Sequence, residues 1–241
     1  MSNTQLPSRY ALLLQNLLVS LEQPLNQMTH FANIGLRRIH RRQTDLTTQY
    51  LAEIKTMGEE LILFTNDLLE IAQLESGDSE LALEEVDLVE FFKGIHDQFL
   101  PLAHSCHASL FVNSGAGRPY VMADYNRLYK VLTILLRSRL RTIPKKGLIH
   151  IEIHREETTT SVSVQDNGPS VPEEQQANLF RLFDKPAADR GVGLMDFRLS
   201  ICKELMTRQQ GDIQVDPSYS DRITGQGSRF LITLPTAHAF L

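Results

Sequence analysis

The chain has little cysteine: Cys106 and Cys202 are far apart in its 241 residues and form no Cys-x-x-Cys or His/Cys cluster. That excludes a disulfide framework and a cysteine-rich zinc site, and it fits a reducing cytoplasm. Excess positive charge is also missing. The formal net charge is −5, so no overall basic field recommends nucleic acid or an anionic membrane as a partner. Long apolar runs are absent too, with nothing near the ~18 residues that a membrane helix needs. The opening Met-Ser-Asn-Thr-Gln lacks the basic, apolar, small-residue order of a secretion signal. These absences predict a cytoplasmic protein that neither spans a membrane nor is exported. No internal repeat and no low-complexity tract is present.

What is there is the composition of a soluble globular protein, 42% hydrophobic and 22% charged, long enough for two domains. From Pro7 to about Arg42, Leu14, Leu17, Leu18, Leu21, Leu25, Met28 and Phe31 fall at helical spacing along one broad stripe. Pro24 interrupts this helix and predicts a bend. The closing run of Arg37, Arg38, Arg41 and Arg42 has the sign that a helix C-terminus favours. A second helix is predicted from about Gln49 to Leu74, carrying Leu51, Ile54, Leu61, Phe64, Leu68 and Ile71. Joined by a short turn, the two make an antiparallel hairpin. Each apolar stripe is wider than one partner helix covers, so two hairpins are expected to pair as a four-helix bundle in a homodimer.

Glu75-Ser-Gly-Asp-Ser is a polar break, and it predicts domains at 1–76 and 77–241. Beyond it, helices are expected over Leu88 to Ala103, Asp124 to Arg141, Glu173 to Phe183 and Leu194 to Arg208. Strands are expected near Ser109 to Asn113, Tyr120 to Ala123, Leu148 to His154, Thr159 to Asp166, Asp212 to Val215 and Arg229 to Leu234. The fold class is α+β, a helical hairpin followed by an α/β sandwich with helices on one sheet face. Within it, Asp166 to Gly193 pairs a carboxylate on a tight glycine turn with a second glycine pair opening a helix. That order suits a cradle for an adenine and its phosphates.

Several motifs together resemble the transmitter core of bacterial two-component sensor histidine kinases. Asp166-Asn-Gly-Pro-Ser-Val-Pro is similar to their first glycine box, Leu179-Phe-Arg-Leu-Phe to their F box, and Gly191-Val-Gly-Leu to their second glycine box. Leu68-Leu-Glu-Ile-Ala-Gln-Leu-Glu-Ser-Gly resembles the end of the dimerisation hairpin, and Gly227-Ser-Arg-Phe-Leu-Ile-Thr-Leu-Pro the closing strand. The resemblance implies an ATPase-type second domain. It also implies that the Asp166 carboxylate accepts a hydrogen bond from the adenine amino group, with Gly168, Gly191, Gly193 and Ser228 as further nucleotide-site residues.

The resemblance fails where the chemistry should be. Counting back from Pro24, the family's phosphoacceptor histidine falls on Val19 and its acidic neighbour on Ser20. A valine has no lone pair to attack a phosphoryl group. Aligning Val131-Leu-Thr-Ile-Leu-Leu-Arg-Ser-Arg-Leu with the family's N box puts Ser138 at the magnesium-binding asparagine, Ile134 at an earlier asparagine and Arg139 at a usually small residue. Serine reaches a magnesium ion weakly at best. Ser170 and Met195 replace glycines of the two boxes, and only 7 residues separate Phe183 from Gly191, where the family has a longer lid.

The expectation is therefore a catalytically degenerate histidine-kinase-like protein that binds a response regulator or a partner histidine kinase. It needs no metal or cofactor for that role, and weak ATP or ADP binding, as in a residual kinase, stays open. The alternative is a phosphotransferase relaying phosphoryl groups through His30 or His40 on the first helix, although neither has an acidic neighbour. His104 and His107 beside Cys106 are too few for a zinc site. His150 and His154 share a strand face and read as an exposed edge. The basic cluster Arg137, Arg139, Arg141, Lys145 and Lys146 reads as a solvated face, with a surface for an acidic partner or anion as the alternative.

Overall fold

The computed structural model describes residues 8–40, 47–76, 80–115, 117–176, 179–180, 194–221 and 223–237. The chain divides into two compact units, the first holding both N-terminal helices and the second beginning at Leu81. In the first unit, α1 (Ser8–His40) and α2 (Thr47–Ser76) form the hairpin that the apolar stripes predict. Phe31, late in α1, stacks on Tyr50, early in α2, with ring centroids 5.8 Å apart, so the two helices run antiparallel. The helix continues through Pro24, which is buried.

In the second unit, α3 (Leu88–Ser105) starts at Asp87, whose carboxylate accepts from the backbone N–H groups of Val89 and Glu90 at 2.9 and 3.4 Å. Such a cap satisfies amides that the first turn leaves orphaned. The helix buries Leu88, Phe91, Phe92, Ile95, Phe99 and Ala103 along one stripe. Helix α4 (Tyr125–Thr142) is capped by Asp124, which accepts from the Arg127 N–H at 3.1 Å, and buries Leu128, Val131, Leu132, Leu135 and Leu136. Each such side chain taken out of water contributes about 1.5–3 kcal/mol.

A small antiparallel pair joins β1 (Glu84–Asp87) to β3 (Tyr120–Ala123). The main sheet contains β2 (Ser109–Asn113), β4 (Leu148–Arg155), β5 (Thr159–Asp166), β6 (Asp212–Val215) and β7 (Ser228–Pro235) in the order β2-β4-β5-β7-β6. Strands β2 and β4 are parallel, and β4 and β5 form the expected hairpin. Alternation sends Ile149, Ile151 and Ile153 of β4, Val162 and Val164 of β5, and Phe230, Ile232 and Leu234 of β7 to one buried face. The register pairs Val164 with Phe230 and Asp166 with Ser228, so Asp166 lies on that buried face, at the end of β5.

Two expectations need correction. Strand β1 has no counterpart in the sequence reading. Of the helix expected over Glu173 to Phe183, 177–178 and 181–183 fall outside the described residues, α5 (Glu173–Gln176) is helical, and Leu179 and Phe180 lie in a turn. Their apolar spacing serves packing instead: Leu179 is buried, and the Phe180 ring meets the Phe230 ring edge-on at 6.3 Å. Helix α6 (Leu194–Arg208) has the range expected for it.

Candidate functional site

Asp166 is the centre of the site, and its carboxylate is already occupied. Arg139, in the last turn of α4, donates from Nε to Oδ2 at 2.8 Å and from Nη2 to Oδ1 at 3.5 Å. The two side chains are 8% and 1% exposed. Oδ1 also accepts from the Gly168 N–H at 2.8 Å. Arg139 Nη2 reaches the Pro169 carbonyl at 3.3 Å, and the guanidinium carbon lies 5.6 Å from the centre of the Phe230 ring. The guanidinium thus lies between a carboxylate, a carbonyl and an aromatic ring, a setting that suits its planar fork. Burial pushes the Asp166 carboxyl up from its ordinary value, against the attraction of Arg139 and the hydrogen bonds from Gly168 and Arg139.

The turn after β5 is fastened on both sides. Asn167 accepts from the Leu148 N–H at 2.7 Å through its side chain and donates its own N–H to the Leu148 carbonyl at 3.2 Å. The Ser170 hydroxyl accepts from the Gly227 N–H at 3.0 Å. The Ser228 hydroxyl accepts from the Val171 N–H at 3.2 Å and donates to the Pro169 carbonyl at 3.4 Å. Two glycines let the backbone come this close. A Cβ on Gly168 would lie 2.9 Å from Asp166 Oδ1, and one on Gly227, at φ +127°, would lie 2.3 Å from the Asp166 carbonyl.

The structure therefore brings Asp166, Gly168 and Ser228 together, and adds Arg139, Ser170, Gly227 and Phe230. Arg139 corrects the solvated basic face: Arg137, Arg141, Lys145 and Lys146 are exposed, but Arg139 is not. The sequence carried a signal for this, because Arg139 continues the α4 stripe through Leu128, Val131, Leu132, Leu135 and Leu136. Ser138 is buried beside it on α4. Gly191 and Gly193 lie outside the described residues. Val19, Ser20 and His40 fall on the helical course of α1, with their side chains outside the described part, and His30 is exposed. On β4, His150 and His154 are exposed and flank Glu152, with nitrogens 3.8 and 3.6 Å from its oxygens. Among the described residues no group of three or more His, Cys, Asp or Glu side chains could hold a metal ion. No described helix is long and apolar enough to cross a membrane.

Residues 123–238 match the histidine kinase-, DNA gyrase B-, and HSP90-like ATPase family. Residues 123–238 thus form a domain of this ATPase family, and the chain is similar to the transmitter core of sensor histidine kinases. It is 31% identical over 186 residues to the alginate biosynthesis sensor protein KinB of Pseudomonas aeruginosa, an alignment covering 76% of this chain and 30% of KinB. Among solved structures, the histidine kinase ThkA in complex with the response regulator protein TrrA aligns with a TM-score of 0.67 and 22% identity, covering 90% of this chain and 60% of that one. Full-length ShkA in complex with AMPPNP aligns with a TM-score of 0.64 and 21% identity, covering 90% and 46%. The chain spans about a third of the length of the curated relatives it matches.

Asp166, the carboxylate expected to meet an adenine amino group, is 1% exposed and holds Arg139, so that contact is closed in this arrangement.

Proposed function

We propose that this chain is a signalling module of two-component systems that acts by binding a response regulator or a partner histidine kinase, without phosphorylating itself. The observation that carries the reading is the buried Arg139–Asp166 pair, which commits the expected adenine-side carboxylate to a residue of the chain itself. Val19 in the acceptor position points the same way, because no imidazole stands there to receive a phosphoryl group. Both departures remove chemistry and leave the apolar core of the sheet complete.

The partner surface is the hairpin, which also supplies the homodimer contact. Leu18, Leu25 and Leu36 are exposed on α1 at steps of 7 and 11 residues, and Leu51, Ile62 and Leu69 are exposed on α2 at steps of 11 and 7. Those steps keep a residue on one helix face, so each helix carries an uncovered apolar stripe that a second hairpin would cover. A cytoplasmic setting fits Cys106 and Cys202, neither of which is in a disulfide.

A second reading, phosphoryl relay, rests on the exposure of His30 on α1. One experiment separates the two. The chain is incubated with magnesium-ATP and, separately, with a phosphorylated receiver domain, and acid-labile phosphate is mapped. The binding reading expects receiver capture and no label in either arm. Label on His30 or His40 from the receiver replaces it with the relay, and label from ATP overturns both.

A further inference from the structure

We propose that Arg139 is a built-in ligand: its guanidinium takes the place on Asp166 of a planar, amine-bearing base, and the site is closed by the chain's own side chain. A charged residue on the apolar stripe of a helix is costly unless its hydrogen bonds are made inside the protein. Here they are made by Asp166 Oδ2, Asp166 Oδ1 and the Pro169 carbonyl, at 2.8, 3.5 and 3.3 Å. The guanidinium carbon lies over the Phe230 ring, 5.6 Å from its centroid. Donors directed at a carboxylate from a flat group resting near an aromatic ring are the same recognition chemistry that an aminopurine or an amidine presents.

The walls agree with this reading. Gly168 and Gly227 hold the backbone against Asp166 where any Cβ would collide, so the turn keeps the close approach of a binding site although the carboxylate is satisfied from within. Shortening residue 139 would leave a buried carboxylate, an aromatic wall and a space of planar shape. Lysine would not substitute, because an ammonium is a point charge without the flat fork. This inference shares the Arg139–Asp166 pair with the binding reading, but it is tested by nucleotide affinity, whereas that reading is tested by receiver capture and phosphate label. The two can fail separately.

The test is equilibrium titration of the full chain with a fluorescent ATP analogue, without magnesium, read by polarisation. Wild type, Arg139→Ala and the double variant Arg139→Ala/Asp166→Asn are compared, with circular dichroism recording the fold of each. The expected result is saturable binding by Arg139→Ala at a concentration at least about tenfold below any at which wild type saturates, and loss of that gain in the double variant. A folded Arg139→Ala with no gain overturns the proposal. So does wild type binding as tightly as Arg139→Ala, or a double variant that retains the gain. If Arg139→Ala melts below the working temperature, its melting point is measured with millimolar methylguanidinium. A rise larger than that of wild type supports the proposal, and no rise overturns it.

Discussion

At Asp166 two opposing forces set the titration. Burial favours the neutral acid, and the attraction of Arg139 together with the hydrogen bonds from Gly168 and Arg139 favours the anion; burial wins, and the carboxyl is raised above 3.8. The folded chain therefore holds this proton more tightly than the unfolded chain does. Asp166 takes stability away as pH rises from about 3.8 through its raised value, and its effect is complete above that. Asp216 behaves in the opposite way, held low by the Ser218 hydroxyl, then by the Ser218 N–H and Arg229. Its contribution is present above 3.8 and is lost as pH falls through the lowered value. In urea unfolding measured across the acid range, Asp216→Asn should flatten the loss of stability below about 3.8, and Asp166→Asn should not. The reverse pattern would contradict the balance of forces at Asp166. The two glycines beside it can be ranked as well. Gly227→Ala meets a carbonyl at 2.3 Å and a φ of +127°, whereas Gly168→Ala meets a side-chain oxygen at 2.9 Å. Backbone strain alone costs about 1–3 kcal/mol, so Gly227→Ala should be the more destabilising in chemical denaturation.

At the scale of elements, the two capping aspartates differ in what depends on them. Asp87 closes the first turn of α3, and Asp87→Ala should cost the ~0.5–2 kcal/mol of a lost N-cap. Asp124 caps α4, accepts from the Ala82 N–H at 3.1 Å, and lies 3.6 Å from Arg127 in a pair that is 9% and 7% exposed. Asp124→Ala should cost more than Asp87→Ala, because it also removes an ion pair from a buried cation. Equal losses in thermal or urea unfolding would show that Asp124 is only a cap. Much of this architecture is legible in the sequence wherever a local period decides it. The spans Ser109–Asn113, Tyr120–Ala123, Leu194–Arg208 and Asp212–Val215 coincide with the expected elements. Strand β1 is not legible, because Glu84 and Glu85 are exposed, no alternation marks the segment, and its pairing comes from β3, distant in sequence. The apolar residues Leu179 and Phe180 imitate a helix while serving the sheet core. For the site, residue type pointed to Asp166 and Gly168. Arg139 was legible by its place on the α4 stripe and was hidden by its charge, since a single guanidinium is ordinarily solvated. Its partner across 27 positions of sequence is a tertiary fact.

At the scale of the molecule, the exposed stripes on α1 and α2 have to be reconciled with a chain carrying a net charge of −5. Leu18, Leu25 and Leu36 are 68%, 51% and 57% exposed, and Leu51, Ile62 and Leu69 are 61%, 62% and 57% exposed. Single exposed leucines are ordinary, but a stripe at helical spacing on each helix of the hairpin is a recurrent apolar exposure that a partner would cover. A second copy of the hairpin offers the same two stripes in return, as an isologous contact requires, and full burial is worth about 1.5–3 kcal/mol for each side chain. The wild-type chain should therefore scatter light as about twice its 27.4 kDa at micromolar concentration. The double variant Leu25→Glu/Ile62→Glu places a charge in both stripes and should scatter as 27.4 kDa, with its circular dichroism spectrum retained. A wild-type chain that remains at 27.4 kDa would leave the stripes without a second hairpin to cover them, and the four-helix bundle would have to be given up.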